Sequence, residues 1–218
     1  MKRAILAGVV STIVFAAPIA DALTLTPSQA PPGIYIRFLK YGGTAGVGAC
    51  PATAATTVIS EQNSGNRFAA WNPVQKFSFD IEQTLNIGSQ STGVGAGKVT
   101  FNPLSISMAP SSLDSTLTDM AESGTPFCEA DLLVVGAQGA TELFSMRLAA
   151  VKTVSFSGTA SGQAPTTFTF EYGGLVVVNH SYTATGAAGK STGRGWDRTR
   201  NVALTPSATD LGITTMMQ

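Results

Sequence analysis

Apolar and polar positions alternate through much of this chain. Phe77, Phe79 and Ile81 interleave with Lys76, Ser78, Asp80 and Glu82, the period-two pattern of a half-buried strand. Val99 and Phe101 alternate likewise, and Leu104–Met108 continues the run after Pro103. Ile34–Leu39 is the first strand signal, and further runs lie at Asp131–Val135, Glu142–Leu148, Lys152–Ser157, Thr166–Tyr172 and Leu175–Tyr182. Glycine-containing turns separate them. One segment breaks the rhythm: Leu113, Leu117, Met120 and Ala121 recur at i, i+4, i+7 and i+8, one face of a helix of about three turns. Ser111 and Asp114 approximate a capping box, and Gly124 stands where a C-terminal glycine belongs. The helix is expected to lay its stripe on the outside of the sheet. The pattern predicts a mainly β fold, an antiparallel β-barrel or sandwich with one flanking α-helix.

The remaining stretches set the boundaries. Lys2 and Arg3 precede an apolar run from Ala4 to Ile19, and Ala20-Asp-Ala22 supplies a small-x-small site, so residues 1–22 read as a signal peptide cleaved between Ala22 and Leu23. A retained anchor is the weaker alternative, because the run is short for a span and Pro18 breaks it. The expected location is therefore secreted or periplasmic, with no membrane association after cleavage. Residues 23–32 hold three prolines and read as an N-terminal arm, 33–202 as the β domain and 203–218 as a C-terminal tail. Lys40 to Arg67 is a long Gly/Ala/Thr/Asn-rich loop, broken by a short strand near Thr56 to Ile59. A loop of that length is commonly functional.

Composition narrows the function. Of 218 residues only 12% are charged and the net charge is zero, so nothing points to nucleic acid or an anionic surface. Near-zero charge also permits self-association. The two cysteines, Cys50 and Cys128, allow one pairing, worth about 4 kcal/mol in the chain-entropy view. Two separate buried thiols are the other reading. The export signal favours the bridge.

No constellation for catalysis, cofactor or metal binding emerges. Gly93-Val-Gly-Ala-Gly-Lys98 looks like a phosphate loop but lacks its first glycine and its Ser/Thr, and a strand follows it rather than a helix. It reads as a turn. His180 has no partnered acid or nucleophile nearby and reads as structural or surface. Asp80 and Glu82 share a strand face, yet nothing marks them as a glycosidase pair. Arg194, Trp196, Arg198 and Arg200 alternate strictly and would share one face of an extended segment. They admit a cation–π ligand platform, but the favoured reading is a terminal strand with Trp196 anchored under arginine stems.

Taken in order, Ile34–Leu39, Phe77-Ser-Phe79, Gly95-Ala-Gly97-Lys98, the Leu113–Ala121 helix and Gly195-Trp196-Asp197-Arg-Thr-Arg-Asn201 resemble the haemolysin-coregulated protein (Hcp) family, the tube proteins of type VI secretion. The match runs from about Gly33 to Val202. The resemblance implies a barrel with a flanking helix, assembly with copies of itself into hexameric rings that stack into a tube, effector and spike proteins as further partners, and no enzymatic activity. The 40–67 loop would then reach a neighbouring subunit or ring. A signal peptide, a longer Cys-containing loop and the short tail depart from the family pattern. A monomeric secreted module on the same fold, binding a glycan or a protein through Trp196 and its arginines, is the alternative.

Overall fold

A computed structural model describes residues 31–39, 58–59, 71–83, 99–160 and 162–213. The strands in chain order are β1 (Gly33–Leu39), β2 (Val58–Ile59), β3 (Asn72–Val74), β4 (Lys76–Ser78), β5 (Ile81–Gln83), β6 (Val99–Phe101) and β7 (Leu104–Met108). The helix α1 (Ser112–Ser123) follows, then β8 (Phe127–Gly136), β9 (Gly139–Ser155), β10 (Gly158–Thr159), β11 (Gly162–Gln163), β12 (Thr166–Tyr182), β13 (Ala188–Asp197), β14 (Val202–Leu204) and a short helix α2 (Ala208–Leu211). Every strand pair is antiparallel. The mainly β architecture read from the sequence is the one observed.

The sheet closes on itself. β12 pairs with β9, β9 with β8, β8 with β1, and β1 with β3. Only Gln75 separates β3 from β4; β4 pairs with β7 and β7 returns to β12. The result is a small barrel, and Phe38, Phe127, Phe168, Phe170, Ile36, Leu132 and Met146 fill it almost without exposure. Phe38 stacks obliquely on Phe127 and Phe170, with ring centroids 4.7 and 5.6 Å away. Leu113, Leu117 and Met120 of α1 join this same cluster, so the helix extends the barrel core instead of forming a separate outer layer. Burying those three side chains contributes about 1.5–3 kcal/mol each.

The helix boundaries carry one correction. Gly124 ends α1 in the left-handed conformation at φ 65°, as the sequence implies. Ser111 occupies the N-cap position but makes no side-chain cap bond, and Asp114 instead accepts a 2.7 Å bond from the Thr166 hydroxyl on β12. Tertiary contact has claimed the carboxylate. The capping box belongs to α2, where Ser207 Oγ accepts from Asp210 N and Asp210 accepts from Ser207 N.

β9 and β12 run 17 residues each, merging what the sequence suggested were four strands. The inward face of both switches at one line, the bend. Met146 points into the barrel, but so do Ala149 and Val151, so alternation slips by one residue at Leu148. Leu148 has φ 52°, a left-handed value that costs a leucine about 1–2 kcal/mol. On β12 the inward set passes from Phe168, Phe170 and Tyr172 to Leu175, and on β8 from Phe127 to Ala130 and Leu132. Cys128, Leu148 and Gly173 lie opposite one another at the slip, between regular ladder pairs. The register is the same on both sides of this line, so the facing of the side chains switches there without a β-bulge; the register shifts lie at Thr169/Phe170 and at Val134/Val135. Below it the strands belong to the barrel; above it β12 leaves β7 and pairs with β13.

The extension is packed on its second face as well. Leu133, Val135, Leu143, Val176 and Val178 form a second core with Trp71 and Ile213, with Leu204 beside them. Leu204 and Ile213, from the stretch 203–218 read from the sequence as a C-terminal tail, pack in this second core. No helix among the described residues is long and apolar enough to cross a membrane.

Candidate functional site

The Gly-Trp-Asp motif closes β13 and locks it to the bend. Asp197 is fully buried, and its Oδ1 accepts from Thr199 N (2.9 Å), Thr199 Oγ1 (2.7 Å) and Arg200 N (2.9 Å). Those bonds fold the chain into a tight turn that Asn201 completes at φ 56°. Burial alone would push the Asp197 carboxyl up, but the bonds from Thr199 and Arg200 and the Arg200 charge outweigh it and hold it below the ordinary value. The next residue, Arg198, donates its backbone N–H to Gly173 O (2.8 Å), at the bend in β12. Its guanidinium reaches Tyr172 O (2.7 Å) and Glu171 (3.3 Å) and lies over the Tyr172 ring at 4.8 Å. Burial drives Tyr172 up to about 12; Arg198 opposes that shift, while Glu171 and Asp80 add to it. Burial also acts to raise Glu171, but bonds from Lys152 and Arg198 leave it lowered.

Gly195 is required by close approach. A Cβ there would sit 2.9 Å from Leu204 Cβ and from Val176 Cγ2, and 3.0 Å from Leu175 O. Gly193, on the same face, would meet Pro206 and Val178 at 2.9 Å. Alternate glycines therefore open a furrow on β13 into which the C-terminal segment settles. Trp196 points the other way, half-buried, between its cross-strand neighbours Leu175 and Ala203.

The arginine array expected from alternation is not formed. β13 ends at Asp197, Arg198 turns back to β12, and Arg200 pairs with Asp197 at 3.1 Å. Only Arg194 shares the exposed face with Trp196. Asp80 and Glu82 likewise do not share a continuous strand, because pairing breaks between β4 and β5, and Asp80 accepts from Asn102 Nδ2 at 2.6 Å. His180 is structural: it is buried, its Nδ1 lies 2.9 Å from Ser191 Oγ and its ring meets Tyr182 edge-on at 4.8 Å. Ala22, Leu23, Cys50, Gly95, Gly97 and Lys98 lie outside the described residues. Cys128, the other expected half of the bridge, is buried on β8 at the bend.

A polar cluster that sequence reasoning missed lies under the C-terminal segment. Glu129 and Asp131 of β8, Ser145 and Arg147 of β9, and Asp210 of α2 are all buried. Arg147 is shared, pairing through Nη1 with Glu129 and through Nη2 with Asp210 at 2.7 Å. Ser145 donates to Glu129 (2.9 Å), and Arg37 of β1 pairs with Asp131 (2.8 Å) while lying 4.7 Å over the Trp71 ring. Burial, then the neighbouring Asp131 charge, pushes Glu129 up to about 8 against the pull of Arg147. The signal was in the sequence: Glu129 and Asp131 are two acids at period two inside the otherwise apolar run Phe127–Val135.

The described surface offers strand edges, isolated apolar residues and, beside α1, an open cavity of about 490 Å³ lined by Asp114, Asp119, Glu122 and Phe156. β14 pairs only with Gly195–Asp197, so among the described residues no strand pairs with the outer edge of β13 from Ala188 to Arg194. Ile81, Val99, Phe156, Val202 and Leu211 are exposed. Ile81 and Val99 stand on the same face of the β5–β6 pair.

No protein-family model matches the sequence, and no curated protein matches it. Solved structures do match. A type six secretion system protein aligns with a TM-score of 0.64 at 18% identity, covering 80% of this chain and 100% of its own. Hcp1 from Salmonella typhimurium aligns with a TM-score of 0.54 at 17% identity, over 78% of this chain and 99% of that one. Hcp1 from the E. coli EAEC 042 pathovar aligns at 0.52 and 12% identity, over 77% and 100%. These matches bear out, at the level of the fold, the resemblance carried by the ordered motifs. The chain has the fold of the Hcp tube proteins.

Proposed function

We propose that this protein is an exported structural subunit that assembles with copies of itself into rings, six subunits to a ring, which stack into tubes able to carry effectors. The observation that carries the reading is a fold shared with type VI secretion proteins over about four-fifths of this chain and the whole of theirs. Two features of the surface support it. The outer edge of β13 is unpaired over Ala188–Arg194, which suits strand addition by a neighbour. Exposed Val202 and Leu211 flank that side of the sheet with apolar area. Net charge of zero removes long-range repulsion between subunits.

In this reading the subunit acts through its surface and performs no catalysis. Cleavage between Ala22 and Leu23 releases it from the export pathway. Cys50 and Cys128 form a bridge tying the 40–67 loop to the bend in the sheet, and that loop reaches a neighbouring subunit. Gly95, Gly97 and Lys98 form the turn beyond β5 and β6, with no nucleotide role. The monomeric binding module is the less favoured reading, since Arg198 turns back to β12 and only Arg194 stays on the face of Trp196.

Light scattering on the exported form under oxidising conditions tests the proposal. A discrete mass near six subunits, or longer particles, is expected. A clean monomer at high concentration overturns it.

A further inference from the structure

We propose that the Glu129 carboxyl is a proton-dependent latch that holds the C-terminal segment, residues 202–213, against the second face of the sheet. The argument starts from charge. Two guanidiniums, Arg37 and Arg147, face three carboxyls, Glu129, Asp131 and Asp210, in a space where Asp131 is fully buried, Asp210 is 2% exposed and Glu129 6%. The five groups come from β1, β8, β9 and α2, and β12 contributes the apolar Val176 and Val178 to the core beside them. Counted over the described residues and fully ionised, the cluster carries one uncompensated negative charge. A buried unpaired charge is strongly unfavourable, and protonating one carboxyl removes it.

The geometry selects Glu129. Asp210 is fixed as an anion by Arg147 on one oxygen and, on the other, by the backbone N–H of Ser207, which can only donate. The second oxygen of Glu129 instead meets the Ser145 hydroxyl, which can accept as well as donate. Asp131 is held by Arg37 through Oδ2, while its buried Oδ1 has no hydrogen-bond partner among the described residues. Glu129 lies on the same face of β8 two residues away, and a proton between the two carboxyls supplies the donor that Asp131 Oδ1 lacks. The upward displacement of Glu129 agrees with that arrangement.

Arg147 connects this proton to the C-terminal segment. It is the only side chain among the described residues ion-paired to Asp210, and it also serves Glu129. Beyond this tether the segment is held by Ile213 in the second core and by Leu204 and Pro206 over the β13 glycines. When the segment lifts, Glu129 gains water and its affinity for the proton falls. Docking therefore favours the protonated acid. The docked state is fully stabilised below the ordinary carboxylate range, and that contribution is lost as pH rises toward about 8. Lifting uncovers Leu133, Val135, Val176 and Val178.

Hydrogen exchange of residues 202–213 across pH, corrected for intrinsic exchange rates, tests the latch. The opening equilibrium is expected to rise by up to about tenfold per pH unit between pH 5 and 8 and then level off. Glu129→Gln, an uncharged mimic of the protonated acid, should flatten that slope. Ile213→Ala should raise opening at every pH by a similar factor and leave the slope intact. A flat wild-type profile, or a Glu129→Gln slope equal to wild type, overturns the proposal. Should Glu129→Gln not fold, the carboxyl-carbon resonance of Glu129 in the wild-type protein decides: a midpoint near 8 supports the latch, and one near 4–5 refutes it. Val202 and Leu211 lie beside the proposed assembly edge, so the profile is taken at two protein concentrations, where assembly changes its height and the latch its slope.

Discussion

Replacing Gly195 by alanine isolates the role of the Gly-Trp-Asp motif, because one methyl is the whole perturbation. The new Cβ would lie 2.9 Å from two side-chain carbons and 3.0 Å from the carbonyl oxygen of Leu175. Carbon–carbon contact is comfortable near 3.5–4.0 Å, so each neighbour must give by at least half an ångström. Leu175 O cannot retreat freely, since it belongs to the strand that pairs with β13. Overpacking of this kind costs about 1–3 kcal/mol. Alanine regains about 0.5–1 kcal/mol over glycine within a strand, leaving a net loss of about 1–2 kcal/mol. For a domain of this size that lowers Tm by roughly 2–8 °C. The internal control is Gly158→Ala in the β10–β11 hairpin, where an added Cβ meets nothing within 4 Å. It should be neutral or slightly stabilising. Urea unfolding of both variants at one pH supplies the comparison. If Gly195→Ala is as stable as Gly158→Ala, the furrow is not tightly occupied, and the docking of the C-terminal segment described here is wrong.

Three further outcomes follow from named contacts. Asp197→Ala removes three bonds to one carboxylate and should cost about 2 kcal/mol at neutral pH. Because that carboxyl is lowered in the folded state, its contribution is present at neutral pH and lost as pH falls through the folded value. The gap between wild type and variant in urea should thus narrow as pH falls below the ordinary aspartate range; a constant gap would contradict it. Leu117→Ala empties a fully buried position shared by helix and barrel, with an expected loss of about 2–5 kcal/mol by chemical denaturation. Arg147→Met leaves Glu129 and Asp210 buried without their common cation and should cost about 3–5 kcal/mol, so a loss under about 1 kcal/mol would show that the cluster is not holding α2.

The strands and the helix were legible because period two and period 3.6 leave distinct marks on an apolar sequence. Ile34–Leu39, Leu104–Met108 and the Leu113 stripe all fall where alternation places them. The merging of Glu142–Leu148 with Lys152–Ser157 was not legible. A slip of one residue at Leu148 interrupts the period, and a broken period looks the same in sequence as a loop. The arginine array failed for a related reason: alternation was extrapolated past Asp197, where side-chain capping by Asp197 turns the chain. Residues 203–213 showed no periodicity at all, because their fit comes from two glycines on another strand and from Asp210 meeting Arg147 far away in sequence. Distance in sequence hid the contact.

The Gly-Trp-Asp close therefore has a mechanical explanation that needs no ligand. A barrel whose strands continue into an open extension must bend, and the bend leaves backbone groups at Gly173 outside the regular ladder. Arg198 supplies the missing donor to Gly173 O and a second one to Tyr172 O, but only if the chain reverses immediately after β13. Asp197 makes the reversal by capping the turn, and Gly195 lets β14 return close enough to cover the second face. Each residue is needed by the one before it, which is why the three occur together. The same reasoning accounts for the edge on which the proposed assembly would draw: the reversal uses only Gly195–Asp197 for pairing with β14, so among the described residues no strand covers the rest of β13, from Ala188 to Arg194.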